Sequence, residues 1–204
     1  MARAAFLFAA FVIAFSSRAH AGNEAVNRRL GGPTELWAPS FEAAAEVAYL
    51  WGAIANPNSY EAGAFFLTGR WRWGIIEREG WLRGYNQVYF LLLGQPIFRG
   101  PESYYWGISA GMRYNFVQPG SRLVPYVSGG VGLGWLDSHA EVFGAQGQDF
   151  TFNILSAAGV TYQVNDRLKV SVGALYEHLS NAGQTSPNPS LNMFGPQIGV
   201  TWSW

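Results

Sequence analysis

From Phe194 to Trp204 the chain alternates without a break. Phe194, Pro196, Ile198, Val200, Trp202 and Trp204 are apolar, and the intervening Gly195, Gln197, Gly199, Thr201 and Ser203 are small or polar. A helix turns about 100° per residue and would mix the two sets, whereas a strand sends successive side chains to opposite faces. The end of the chain is therefore predicted to be a strand with one oily and one polar face. The same sorting recurs upstream. Leu168, Val170, Val172, Ala174 and Tyr176 oppose Lys169, Ser171, Gly173 and Glu177, and Phe150, Phe152, Ile154, Ala158, Val160, Tyr162 and Val164 oppose Thr151, Asn153, Gly159, Thr161 and Gln163. Tyr104, Trp106, Ile108, Ala110, Met112, Tyr114 and Phe116 oppose Ser103, Ser109, Arg113 and Asn115. Further strands are placed at 41–52, 61–73, 81–94 and 123–136, the last with Gly130, Gly132 and Gly134 on one face. Only the segment through Val88 to Leu93 is too uniformly apolar to orient. The total is eight.

Composition decides which face meets water. A soluble eight-stranded barrel turns its apolar face inward and its charges outward. Here only 13% of residues are charged, about half the usual share, while 16% are aromatic. The polar faces carry glycine, serine, threonine, arginine and glutamate, which suit a narrow interior, and the bulky faces suit lipid. The first 21 residues read as an export signal: Arg3, an apolar run from Ala4 to Phe15, then the small-x-small site Ala19-His20-Ala21, leaving Gly22 as the mature start. That run is shorter than the roughly 20 residues a spanning helix needs. An exported chain without a spanning helix crosses a membrane only as a closed barrel, in which every backbone group is paired. The expectation is an all-β, eight-stranded antiparallel transmembrane barrel of the outer-membrane type over 22–204. Its terminal Trp204 resembles the signal by which such barrels reach their assembly machinery. Without Arg3 and Arg18 the chain holds 11 basic and 13 acidic residues, too few cations for a nucleic-acid partner. There is no cysteine, hence neither a disulfide nor a thiolate metal site.

Connections set the sidedness. An even-stranded barrel of this class keeps both termini in the periplasm, with short turns there and longer loops outside. Links after strands two, four and six should then be tight, as Gln118-Pro119-Gly120-Ser121 and Gln163 to Arg167 suggest. Links after strands five and seven, Asp137 to Gln148 and Asn181 to Asn192, are longer.

The segment Tyr176 to Gly183 is out of place in a plain barrel. His178 and Ser180 fall in register with Val170, Val172 and Tyr176, on the face directed at lipid. At ~3.3 Å per residue and a tilt near 40°, His178 lies roughly 25 Å above Leu168, at the outer rim of the apolar band. Polar groups on a lipid face cost free energy, so their presence asks for a reason. A serine hydroxyl beside an imidazole is the minimum for nucleophilic acyl transfer, the ring taking the proton as the oxygen attacks an ester carbonyl. The Asn181-Ala182-Gly183 that follows offers amide donors to an oxyanion. The competing reading makes His178 and Ser180 merely interfacial.

The string His178-Leu179-Ser180-Asn181-Ala182-Gly183, followed by Pro187-Asn188-Pro189 and a last strand, resembles the lipid A 3-O-deacylase (PagL) family. The motif match covers about 175–204, with the signal, length and strand layout in agreement throughout. The resemblance implies an outer-membrane esterase that removes the 3-hydroxyacyl chain ester-linked at position 3 of lipid A, the anchor of lipopolysaccharide, without metal or cofactor. Carried over, His178 is the base and Ser180 the nucleophile, with Asn181, Gly183 and Asn188 around the oxyanion. The family's pattern has a glutamate twelve residues after the serine, orienting the histidine; here that place is Asn192. An amide accepts a hydrogen bond from the ring but does not stabilise the imidazolium as a carboxylate does, and such an exchange in a serine protease costs about 10⁴ in rate. Glu141, on the preceding outer loop, is the alternative acid, since Glu177 points into the barrel.

Two other readings remain. One is a non-catalytic barrel that stabilises the membrane or binds a partner through its loops. The other is a narrow channel, disfavoured because eight strands leave room only for side chains and Glu42, Glu46, Arg70 and Arg72 would fill it. Homodimerisation stays open.

Overall fold

The computed structural model describes residues 40–53, 59–77 and 80–204. The expected signal at 1–21 and its cleavage site lie outside them. Eight strands follow in order: β1 Phe41–Ala53, β2 Ser59–Ile76, β3 Gly84–Arg99, β4 Tyr104–Phe116, β5 Leu123–Leu136, β6 Phe150–Gln163, β7 Leu168–Ser180 and β8 Leu191–Ser203. Each pairs antiparallel with the next, and β8 returns to β1 through pairs such as Ala45↔Val200, closing the barrel. Closure leaves no open edge, the condition for crossing hydrocarbon with strands. β2 runs beyond the expected 61–73 at both ends, while β3 starts three residues later than the expected 81–94 and ends five later; the two are the longest strands.

The alternation assigns faces as expected. Val172, Ile198, Val200 and Trp202 are 44–59% exposed on the outside, while Lys169, Gln197 and Thr201 are buried. β3, unreadable from sequence, sends Phe90 and Leu92 out and Tyr89, Leu91 and Leu93 in. Its inward residues are apolar because the middle of the lumen is apolar, packed with Phe66, Leu155 and Leu175. Aromatic clusters mark both rims. Phe41 lies 5.1 Å from Trp71 and 5.4 Å from Trp204 at one end. At the other, Trp106, Trp135, Phe150 and Phe152 form a chain of rings with centroids 4.5–5.6 Å apart. Such girdles belong to the membrane boundaries of outer-membrane barrels.

Below the apolar layer the lumen is ionic. Arg70 meets Glu46 at 2.7 Å and donates to Thr201 at 3.2 Å. Lys169 pairs with Glu42, which also accepts from Gln87 at 2.8 Å. Arg113 stacks 3.6 Å over Tyr126 and donates to Asn115 and Thr161. These side chains leave a cavity of about 30 Å³, enough for a water or two but not for passage of a solute. Two glycines of β5 have a related cause: the Tyr105 hydroxyl lies where a side chain on Gly134 would go, and the Tyr89 hydroxyl where one on Gly130 would.

The loop-length asymmetry rests on two connections. Residues 137–149 and 181–190 are long, as expected, but the β3–β4 link at the same end spans only 100–103. At the opposite end 164–167 is tight, whereas the β2–β3 link, 77–83, is longer than expected; near its end Tyr114 donates to the Leu82 carbonyl.

Candidate active site

Strand β7 places Tyr176, His178 and Ser180 in one outward column, and β8 sets Asn192 directly opposite His178. His178 Nε2 lies 3.1 Å from Ser180 Oγ, and His178 Nδ1 lies 2.9 Å from Asn192 Oδ1. The sequence thus brings the expected three residues together. Directions follow from what each group can do. Asn192 Nδ2 donates to the Ser190 carbonyl at 2.9 Å, and a carbonyl only accepts, so the amide oxygen faces the ring. An amide oxygen requires Nδ1 to carry the hydrogen. Nε2 is then left as the acceptor for the serine hydroxyl, the tautomer a general base needs. Ser190 adopts φ 53°, a left-handed backbone uncommon for a residue with a side chain. Sequence reasoning missed a further contact: Tyr176 donates to the same Asn192 oxygen at 2.7 Å. Its place two residues before His178 was the available signal.

Ser180 is nearly buried although it ends an outward column, at the point where the 181–190 loop begins. Asn181, fully buried, knits that loop from within. Its Nδ2 donates to the carbonyls of Thr185 at 2.8 Å and Pro187 at 3.2 Å. Its backbone N–H donates to Asn188 Oδ1 at 3.1 Å, and its Oδ1 accepts from Gly183 N–H at 2.9 Å. Asn181, Gly183 and Asn188 therefore converge beside the serine, but the N–H groups of Asn181 and Gly183 are already engaged. Ala182 and Gly183 hold the turn at φ 55° and 76°. Among the described residues neither the Ala182 N–H nor Asn188 Nδ2 has a hydrogen-bond partner.

The two carboxylates nearest in sequence stand apart. Glu141 is exposed and faces His139 at 3.6 Å, so the alternative that made it the acid is not the arrangement found. Glu177, as expected, points into the lumen, where it is fully buried and bonded to Gln95.

A closed eight-stranded barrel with aromatic girdles, carrying a Ser–His–Asn hydrogen-bonded series on its outside, defines the class: an outer-membrane barrel with the donor and acceptor pattern of a serine hydrolase. The family described as lipid A 3-O-deacylase (PagL) matches residues 58–201, and the chain belongs to it. Among solved structures, the outer membrane enzyme PagL superimposes with a TM-score of 0.56 at 17% identity, over 78% of this chain and 97% of that one. Neisserial surface protein A gives 0.57 at 15% identity, over 82% and 99%. At such identities the likeness is one of fold, shared about equally by an enzyme and a surface protein. Nothing among curated protein sequences matches the chain.

Proposed function

We propose that this protein is an esterase that removes the acyl chain ester-linked at position 3 of lipid A, in the outer leaflet of the bacterial outer membrane. The observation that carries this reading is the Asn192–His178–Ser180 hydrogen-bonded series on the lipid-facing side. Family membership supplies the substrate class, and the outward aim of the column supports it. The long-loop end faces outside the cell, which sets Ser180 at the depth where an ester of a glycolipid begins.

In the first step Ser180 Oγ attacks the ester carbonyl carbon while its proton passes to His178 Nε2. The tetrahedral oxyanion meets the unengaged Ala182 N–H and Asn188 Nδ2, held in place by the bonds of Asn181 and Gly183. Collapse breaks the bond to the sugar oxygen, which takes the proton from Nε2. Water, deprotonated by the same nitrogen, then attacks the acyl-serine carbonyl; the bond to Ser180 Oγ breaks, Oγ takes the proton back from Nε2, and a 3-hydroxy fatty acid leaves. Asn192 keeps Nδ1–H oriented throughout. No metal ion or cofactor takes part in these steps.

The test is mass spectrometry of lipid A incubated with the purified protein in detergent, with and without chelator. Loss of one 3-hydroxyacyl chain in both is the expected result. Intact lipid A under every condition leaves the non-catalytic barrel as the reading.

A further inference from the structure

The 181–190 loop is braced from outside as well as from within, and the brace belongs to the neighbouring loop. Gln148 lies two residues before β6. Its Nε2 donates to its own strand's Phe150 carbonyl at 2.8 Å and to Gln184 Oε1 at 2.9 Å, while its Oε1 accepts from the Thr185 hydroxyl. Beside it, Gly147 N–H donates to the Pro187 carbonyl at 2.8 Å. That carbonyl also accepts from Asn181 Nδ2, so the outer and inner braces meet on one atom. A Cβ on Gly147 would lie 2.7 Å from the Ser186 carbonyl carbon and 2.8 Å from the Pro187 oxygen, so the approach needs glycine.

The bracing loop is itself fixed to the barrel mouth. Ala145 and Gln146 are buried, and Gln146 N–H donates to Glu102 at 2.7 Å, which in turn accepts from Tyr60. At its base, Asp137 accepts from the N–H groups of Ser103 and Tyr104 at 2.8 and 3.0 Å. Desolvation pulls the Asp137 carboxyl upward, but those N–H groups outweigh it and hold it below the usual carboxylate range. The anchor is therefore charged at neutral pH.

We propose that Gln148, seated by Gly147, is a positioning residue of the esterase: it holds the 181–190 loop so that the donors beside Ser180 face the developing oxyanion. This rests on the esterase reading for its effect on rate, though not for its effect on the loop. An oxyanion contact is realised in the transition state, so its misplacement lowers kcat and leaves KM alone. Removing one such donor outright costs about 10²–10³. Loosening its support should cost less, roughly tenfold by the same measure.

The experiment uses the full chain in detergent, comparing wild type, Gln148→Ala, Thr185→Val and the double variant. A faster-migrating folded band on unheated gels checks that each barrel is intact. Gln148→Ala should lower kcat on lipid A roughly tenfold with KM nearly unchanged, and adding Thr185→Val should lower it little further, because both act through one contact. Hydrogen exchange provides a readout without substrate: the Asn181 and Gly183 amides should exchange faster in Gln148→Ala. Gly147→Ala, which pushes the loops apart, should do the same. An active wild type with unchanged kcat in Gln148→Ala, or a loss confined to KM, overturns the positioning role. Unchanged exchange at Asn181 and Gly183 overturns the brace, whether or not the protein proves to be an esterase.

Discussion

Glu177 and His178 are neighbours in the chain and lie on opposite sides of the barrel wall. The carboxyl is sealed in the lumen against Gln95, with no cation beside it among the described residues. The imidazole is outside, half-buried, bonded to Asn192 and Ser180 and with no carboxylate beside it among the described residues. A carboxylate one residue away is thus unavailable to the histidine because β alternation puts it behind the sheet. The two faces divide the labour. Inside, polar groups pair with each other and serve the fold, as Glu46–Arg70 and Glu42–Lys169 do. Outside, a serine, a histidine and an asparagine stand on a surface where burial offers no reason for them.

If that division holds, changes on the two faces should have opposite signatures, and the outer column gives the larger effect. Ser180→Ala and His178→Ala should each cut turnover by at least roughly three orders of magnitude and to similar extents, because nucleophile and base act as one unit. Neither should lower the unfolding midpoint of the barrel. A variant of either that keeps near-wild-type release of 3-hydroxy fatty acid would erase the functional side of the comparison.

The inner face should show the reverse. Lys169→Met leaves Glu42 hydrogen-bonded to Gln87 and Ser203 but without its ion-pair partner, and a buried charge stripped of its partner costs about 3–5 kcal/mol. The unfolding midpoint in denaturant should drop accordingly, while turnover per folded molecule stays within about twofold, since the change never touches the outer column. An equal loss of turnover in the molecules that remain folded would mean that the lumen is coupled to the site.

How much of this was readable beforehand follows the same line. Period two gave the faces of β7 and β8 because most of their inward residues are small or polar: Lys169, Ser171, Gly173 and Glu177 on one, Gly195, Gln197, Gly199, Thr201 and Ser203 on the other. Leu175, Leu179, Leu191 and Met193 are the apolar exceptions. It failed on β3, whose inward Leu91 and Leu93 meet other apolar side chains across the lumen. Tyr126 and Arg113 show a contact between β5 and β4 that no local pattern signals. At the site, His178 and Ser180 were legible because a polar pair breaks an oily face. Asn192 was legible through the family motif. Tyr176 and Ser190 were not: one was hidden among lipid-facing aromatics, and the other acts through its backbone carbonyl. Gln148 escaped because its partners lie 36 and 37 positions away, across two loops whose docking sequence spacing does not encode.

A smaller effect is expected at Asn192. Exchange of the carboxylate for an amide in a serine protease costs about 10⁴, much of it because the amide stabilises the wrong tautomer. Here Ser190 holds the amide in the right orientation, so the deficit left is the missing negative charge beside the imidazolium. Asn192→Glu should therefore raise kcat, by roughly tenfold and well short of 10⁴. A carboxylate has no hydrogen for the Ser190 carbonyl, which offsets part of the gain. A rate that is unchanged or lower would mean that the Ser190–Asn192 bond matters more than the charge.

The smallest effect is the one that isolates the comparison itself. Glu177→Gln removes the carboxyl nearest in sequence to the histidine and keeps its shape and its place beside Gln95. If the sheet separates the two as the geometry has it, turnover should stay within about twofold of wild type, since groups on opposite faces with no shared partner behave additively. Stability should hold or rise slightly, because a neutral amide in the apolar half of the lumen avoids the cost of a carboxylate there without a cation. One carboxyl oxygen of Glu177 already lacks a hydrogen-bond partner, so little bonding is lost. The measurement is kcat on lipid A alongside the unfolding midpoint. A large loss of kcat in a barrel of unchanged stability would show that Glu177 reaches the imidazole through the wall, and the assignment of Asn192 as the orienting group would fall with it.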